Sequence, residues 1–224
     1  MTFSIAARCA ETGQLGIALS SSSIAVGARC PWLLPGVGAV SSQNITLPAL
    51  GQTILAALNN GNDPQSALQQ ALAGNVFSEY RQVSVINLLG ESAVFSGEKT
   101  LGIYHTVQGE GCVAAGNMLA DQSVITAMVS AFENTSGSLA QRLMAAMQAA
   151  MVKGGEAGPV HSAALKIVGD HSWPIVDLRV DWSENNPIDE LNALWLAYEP
   201  QMEAYITRAL DPRDAPSYGV PGDE

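Results

Sequence analysis

The residue with the clearest chemical capacity in this chain is the second. Thr2 follows Met1 and opens an apolar run, Phe3-Ser4-Ile5-Ala6-Ala7. An initiator methionine is normally trimmed when a small residue such as threonine follows it. The trimmed chain would begin with a threonine whose hydroxyl is a nucleophile and whose own α-amine is the base. A free α-amine titrates at about 7.7–8.0, so it accepts a proton near neutrality without a histidine. Other nucleophiles are on offer: hydroxyls run from Ser20 to Ser23, and Cys30 lies nearby. They would make a conventional serine or cysteine hydrolase, but no GxSxG elbow accompanies them.

The remaining motifs exclude more than they offer. There is no HExxH, and Gly97-Glu98-Lys99-Thr100 misses the phosphate-loop pattern by an inserted glutamate. No GxGxxG occurs. His105, His161 and His171 are far apart and no carboxylate pattern matches a metal site, so no metal or organic cofactor is expected. Cys9, Cys30 and Cys112 form an odd set without CxxC, which argues against a disulfide framework and for a reducing, cytoplasmic setting. The net charge of −11, with ten scattered Lys and Arg, excludes a clustered basic surface for nucleic acid. No apolar stretch reaches the ~18 residues of a membrane span, and no leader pattern opens the chain.

The elements that must position Thr2 follow from periodicity. With 224 residues and 47% apolar content, the chain can bury one sizeable core. Phe3 to Arg8 and Leu15 to Leu19 read as a hairpin across Glu11-Thr12-Gly13-Gln14. Ile24 to Cys30 and Gly36 to Gln43 read as further strands. Helices are expected from Pro48 through Leu58 and from Asp63-Pro64 to Gly74. Gln82 to Leu88, Ser92 to Ser96 and Gly111 to Gly116 read as strands. A helix through Val124 and Phe132 follows, then one opened by the Ser138/Gln141 capping box. His161 to Val168 and Ile175 to Asp181 are strands again. Asn186-Pro187 opens a last helix, kinked or ended at Pro200. Grouped strands alternating with grouped helices argue for antiparallel sheets with helices outside, an α+β architecture in one domain, residues 1–210. Residues 211–224 read as an extended arm rich in proline and glycine. With Trp195, Tyr198, Tyr205 and Ile206 on the last helix, that arm points to a homodimer.

Several motifs together carry a family resemblance. They include Met1 to Arg8, Glu11-Thr12-Gly13-Gln14-Leu15-Gly16, Ala25-Val26-Gly27-Ala28, Pro31-Trp32 and Gly36-Val37-Gly38-Ala39-Val40. Glu79-Tyr80-Arg81-Gln82-Val83, Phe95-Ser96-Gly97, Gly116-Asn117-Met118-Leu119, His161-Ser162-Ala163-Ala164-Leu165 and Val176 to Asp181 complete the set. The chain resembles, over nearly its whole length, a bacterial family of unknown function placed among the N-terminal-nucleophile (Ntn) hydrolases. The resemblance implies a four-layer αββα sandwich and cleavage of amide bonds, with Thr2 as nucleophile. It implies no particular substrate.

Such catalysis needs donors for an oxyanion and groups that line a pocket. Asn117, between an apolar strand and a helix, could present its side-chain amide to the oxyanion. Arg29, isolated in an otherwise nearly uncharged segment, could tune the amine or pair with a substrate carboxylate. Glu79 and Arg81, beside Tyr80, could line a pocket at a strand entrance. Ser42 and Gln43 at a strand end, and His161 at a strand start, could contact substrate. The leading expectation is an amidohydrolase acting on a small amide. The competing one is a non-catalytic assembly or binding protein that keeps the sandwich.

Overall fold

A computed structural model describes residues 1–222. Among the described residues, ten strands form two antiparallel sheets, and each sheet carries helices on its outer face. The six-stranded sheet runs β10-β9-β2-β1-β8-β7. Its strands are β1 (Thr2–Arg8), β2 (Leu15–Ser21), β7 (His105–Gly109), β8 (Cys112–Asn117), β9 (Ser162–Val168) and β10 (Pro174–Val180). The four-stranded sheet runs β3-β4-β5-β6, from β3 (Pro31–Leu34), β4 (Gly38–Asn44), β5 (Arg81–Asn87) and β6 (Ser92–Ser96).

Period-two alternation divides each strand between two environments. On β1, Phe3, Ile5 and Ala7 face outward and pack under α3 (Ser123–Asn134) and α4 (Leu139–Val152). Ala6 faces inward and joins Ile17, Leu19, Ala39, Ile86 and Val113 in the layer between the sheets. On the far side, Val40, Val83 and Val85 pack under α1 (Ala49–Asn59) and α2 (Pro64–Ala73). The result is the αββα sandwich. Buried on both faces, the central strands β1 and β2 lack the polar alternation of a half-exposed strand.

The helix signals hold locally. Asp63 accepts from the Ser66 N–H with Pro64 at the first turn, and Ser138 and Gln141 form the reciprocal capping box. Asn186 caps α5 (Pro187–Tyr198). A 3-10 turn at Glu199–Gln201, containing Pro200, separates α5 from α6 (Met202–Leu210).

One expectation needs correction. The span Ile24 to Cys30 is not a strand. Ala25 takes a left-handed φ of 54°, and Val26–Ala28 form a 3-10 turn. The Val26 N–H donates to Ser162 Oγ at 3.2 Å and the Ala25 N–H to Asp181 O at 2.8 Å, bonds that replace a strand ladder. The strand β7, at the edge of the sheet beside β8, is mostly polar and carries no apolar alternation that would mark it in the sequence. Beyond α6 the chain turns at Pro212–Asp214, and Arg208 reaches back to Pro216 O at 2.7 Å and stacks over Tyr218 at 3.7 Å. Residues 223–224 of the expected arm lie outside the described residues. Among the described residues, no helix is long and apolar enough to cross a membrane.

A candidate active site at one end of the sandwich

Thr2 begins β1, a central strand, on its inward face. Antiparallel register sets Asn117 of β8 directly opposite on one side. On the other, Phe3 pairs with Ser20, which brings Ser21 of β2 beside Thr2. Cross-strand neighbours share a face, so the three polar side chains converge. Thr2 Oγ1 lies 3.3 Å from Ser21 Oγ, and Thr2 is 4% exposed. Both hydroxyls hydrogen-bond to the Met1 carbonyl oxygen.

A row of donors leads to that oxygen. Arg29 Nη2 donates to Ser23 Oγ at 3.2 Å, and Ser23 Oγ lies 2.8 Å from Ser21 Oγ. One proton per hydroxyl, passed along, aims the guanidinium's charge through Ser23 and Ser21 at the carbonyl. Arg29 also donates to Ala25 O at 3.0 Å and to Ile24 O, which clamps the bend that replaces the expected strand.

Beneath Thr2 three buried amides bridge the sheets. Gln43 Nε2 donates to Ala115 O at 3.1 Å and to Gln82 Oε1 at 2.8 Å. Gln82 Nε2 donates to Gly116 O at 3.0 Å, and Asn117 Nδ2 donates to Gln82 Oε1 at 3.1 Å. Backbone carbonyls only accept, so Ala115 O and Gly116 O fix the orientation of all three amides. Ser4 and Ser41 donate to Gln43 Oε1 at 2.6 and 3.1 Å. The Asn117 carbonyl oxygen, also buried, has no partner. Asn117 therefore has a free acceptor near Thr2, while its nitrogen serves Gln82.

The loop between α4 and β9 closes this end. The Ala120 N–H donates to Gly155 O at 3.0 Å and the Ala157 N–H to Met118 O at 2.9 Å, which pins Glu156 beside β2. Glu156 is 4% exposed. Its Oε2 accepts from the Ser22 N–H at 3.2 Å, while Oε1 has no partner. Burial pushes its carboxyl up to about 7, against the pull of the chain's α-ammonium and the Ser22 N–H. Glu156 was not singled out in the sequence, where it reads as one acid in the run Gly154-Gly155-Glu156-Ala157-Gly158.

This carboxyl makes stability pH-dependent. The unfolded chain releases the proton near 4.5, whereas the folded chain holds it to about 7. Folding is therefore progressively disfavoured as pH rises through that window, by a total on the order of 3 kcal/mol. Glu156→Gln is expected to melt above the unsubstituted protein at pH 8 and close to it at pH 4.5. A melting-temperature difference independent of pH would contradict this.

The other expected residues are placed as follows. Gln43 belongs to the buried amide network, 0% exposed. Ser42 is on the opposite face of β4 and donates to Leu47 O at 3.0 Å, under α1. Arg81 shares that outer face and donates to Ile45 O. Glu79 pairs with Lys99 at 3.3 Å outside the sheet. The His161 ring bonds to Ser183 O at 2.8 Å and stacks on Trp182 at 4.3 Å. Its backbone N–H donates to Ser21 O at 2.8 Å, so His161 steadies β2 through the main chain. Burial pushes the Cys30 thiol up, which keeps it protonated and a poor nucleophile. Among the described residues, no three His, Cys, Asp or Glu side chains group to hold a metal ion.

The molecule is thus an αββα protein with a polar site built around its first strand. Residues 2–191 match the family of unknown function DUF1028, and the chain belongs to that family. A solved member, protein SPO2555 from Silicibacter pomeroyi, is 32% identical with a TM-score of 0.83, over 88% of each chain. Anbu (ancestral beta-subunit) from Yersinia bercovieri aligns at 11% identity and a TM-score of 0.45, over 90% of this chain and 96% of that one. Anbu from Hyphomicrobium sp. strain MC1 aligns at 10% and 0.44, over 97% of this chain and all of its own. No curated protein matches the sequence.

Proposed function

We propose that the protein is an Ntn-type amidohydrolase in which Thr2, freed by removal of Met1, attacks the carbonyl of a small amide. The observation that carries this reading is that Thr2 Oγ1, at the end of a central strand, lies 3.3 Å from Ser21 Oγ, the end of the donor row from Arg29, with Asn117 opposite Thr2 on the neighbouring strand. Thr2 Oγ1 bonds to the substrate carbonyl carbon, and its proton passes to the Thr2 α-amine. The Ser21 hydroxyl, polarised through Ser23 and Arg29, donates to the developing oxyanion. The C–N bond then breaks and the leaving amine takes the proton from the Thr2 ammonium. Water next adds to the ester and gives its proton to the same amine. The carboxylic acid departs as that proton returns to Oγ1. The free carbonyl oxygen of Asn117 is an acceptor for the ammonium form, a different role from the oxyanion donor expected of it.

Met1, as it stands, covers Thr2. That observation favours a second reading, a binding or assembly protein without catalysis. Intact mass of protein from its native host, combined with an electrophilic amide mimic, separates the two. The expected result is a mass short by one methionine and an adduct on Thr2. An adduct on Ser21, Ser23 or Cys30 would replace the mechanism with a conventional hydrolase. A full-length mass with no adduct would leave only the binding reading.

A further inference from the structure

Met1 is an aminoacyl group seated on the proposed nucleophile, and its surroundings describe what the site accepts. Its carbonyl oxygen takes hydrogen bonds from Thr2 Oγ1 and Ser21 Oγ. The tip of its side chain, Cε, lies beside Gly158, where an added Cβ would stand at an ordinary contact distance of 3.4 Å, so the unbranched apolar side chain is packed on that side. Glu156 borders the same end: it stands two residues before Gly158 and accepts from the Ser22 N–H at 3.2 Å, next to Ser21, whose hydroxyl holds the Met1 carbonyl. One oxygen of that buried carboxylate is held by the Ser22 N–H and the other has no hydrogen-bond partner.

A buried, half-satisfied carboxylate is costly, and its cost falls when a cation is brought to the empty oxygen. Loss of Met1 moves the chain's amine back to Thr2, where it serves as the base, and vacates the volume between Thr2, Ser21, Gly158 and Glu156, leaving Glu156 Oε1 open to a second cation. We infer that this volume receives an aminoacyl amide, a substrate whose free α-ammonium faces Glu156 while its carbonyl meets Thr2 Oγ1 and Ser21 Oγ. The reading rests on the proposed function and narrows it to the removal or transfer to water of one amino acid bearing a free amine. An N-blocked substrate presents a neutral amide to the carboxylate and leaves it without its cation.

The test compares methionine p-nitroanilide with N-acetylmethionine p-nitroanilide on protein lacking Met1. The free-amine anilide is expected to have a kcat/KM about 10- to 100-fold higher, the range of a charge-assisted contact at a buried site. Glu156→Gln is expected to reduce that preference, read as the ratio of the two anilides on the same protein, to within about threefold, mostly through KM of the free-amine anilide. Equal turnover of the two anilides by the unsubstituted protein would overturn the assignment, and this comparison does not depend on the variant folding. A preference retained in Glu156→Gln would overturn it too. An electrophile adduct on Thr2 without turnover of either anilide removes the substrate class and leaves the nucleophile standing. Absence of both adduct and turnover removes the proposed function itself, and the inference with it.

Discussion

Thr2→Ala, in protein from which Met1 has been removed, is expected to lose at least ~10³-fold in kcat/KM on any amide the protein hydrolyses. Alanine also permits methionine removal, so the variant keeps a free α-amine at the same place. Only the hydroxyl is missing, and the comparison isolates the nucleophile from the base. The fold should survive. Thr2 side-chain bonding within the fold reaches Ser21 at 3.3 Å, a loss of about 1 kcal/mol or less. Thr2→Ser should retain activity at a reduced level, because serine keeps the hydroxyl but lacks the β-branch that restricts χ1. Intact mass must accompany each measurement, since a retained Met1 would imitate the loss. Undiminished hydrolysis by the alanine variant would end the mechanism.

Gln82→Leu is expected to be the most destabilising single change near the site, by about 3–5 kcal/mol in urea or thermal unfolding. Leucine has nearly the right size, so the cost is not a cavity. It comes from partners left behind: the Asn117 and Gln43 amide nitrogens lose their shared acceptor, and Gly116 O and Ser96 Oγ lose a donor. These atoms lie between two sheets, where Gln43, Gln82 and Asn117 are each 0% exposed. An unpaired buried polar group keeps its desolvation cost with nothing to offset it. Asn117 would also lose the contact that fixes its orientation beside Thr2, so turnover should fall even where the variant stays folded. A change below about 1 kcal/mol would mean that the network contributes little to stability.

The amides, the hydroxyl row and Glu156 act as one unit on Thr2, and their effects will not add. Removal of Glu156 relieves a buried charge and raises stability above neutral pH, while it removes the proposed contact for substrate. Stability and selectivity should therefore move in opposite directions at this position. Their separation by pH and by substrate distinguishes a recognition group from an internal brace.

Some features of this protein were legible in residue order. Strand and helix grouping indicated stacked antiparallel sheets under outer helices, because period-two and period-3.6 burial are local properties. The caps at Asp63, Ser138 and Asn186 were legible for the same reason, since each bond spans two or three residues. Thr2 was legible as a possible nucleophile because its chemistry needs only its own hydroxyl and amine. Outcomes that depend on distant partners were not legible. Ile24 to Cys30 has the composition of a strand, yet Ser162 and Asp181, more than a hundred residues away, take its N–H groups. Ser42 and Gln43 looked equivalent at a strand end, and strand register sends one under α1 and the other into the space between sheets. Gln82 was an ordinary strand residue until β5 was laid across β8. Glu156 was one acid in a glycine-rich loop until that loop was pinned to Met118 and Ala120. Local sequence determined which segments became strands, helices and caps. Only the packing of one sheet on the other decided which polar side chains were buried together, because desolvation and hydrogen-bond satisfaction depend on neighbours in space.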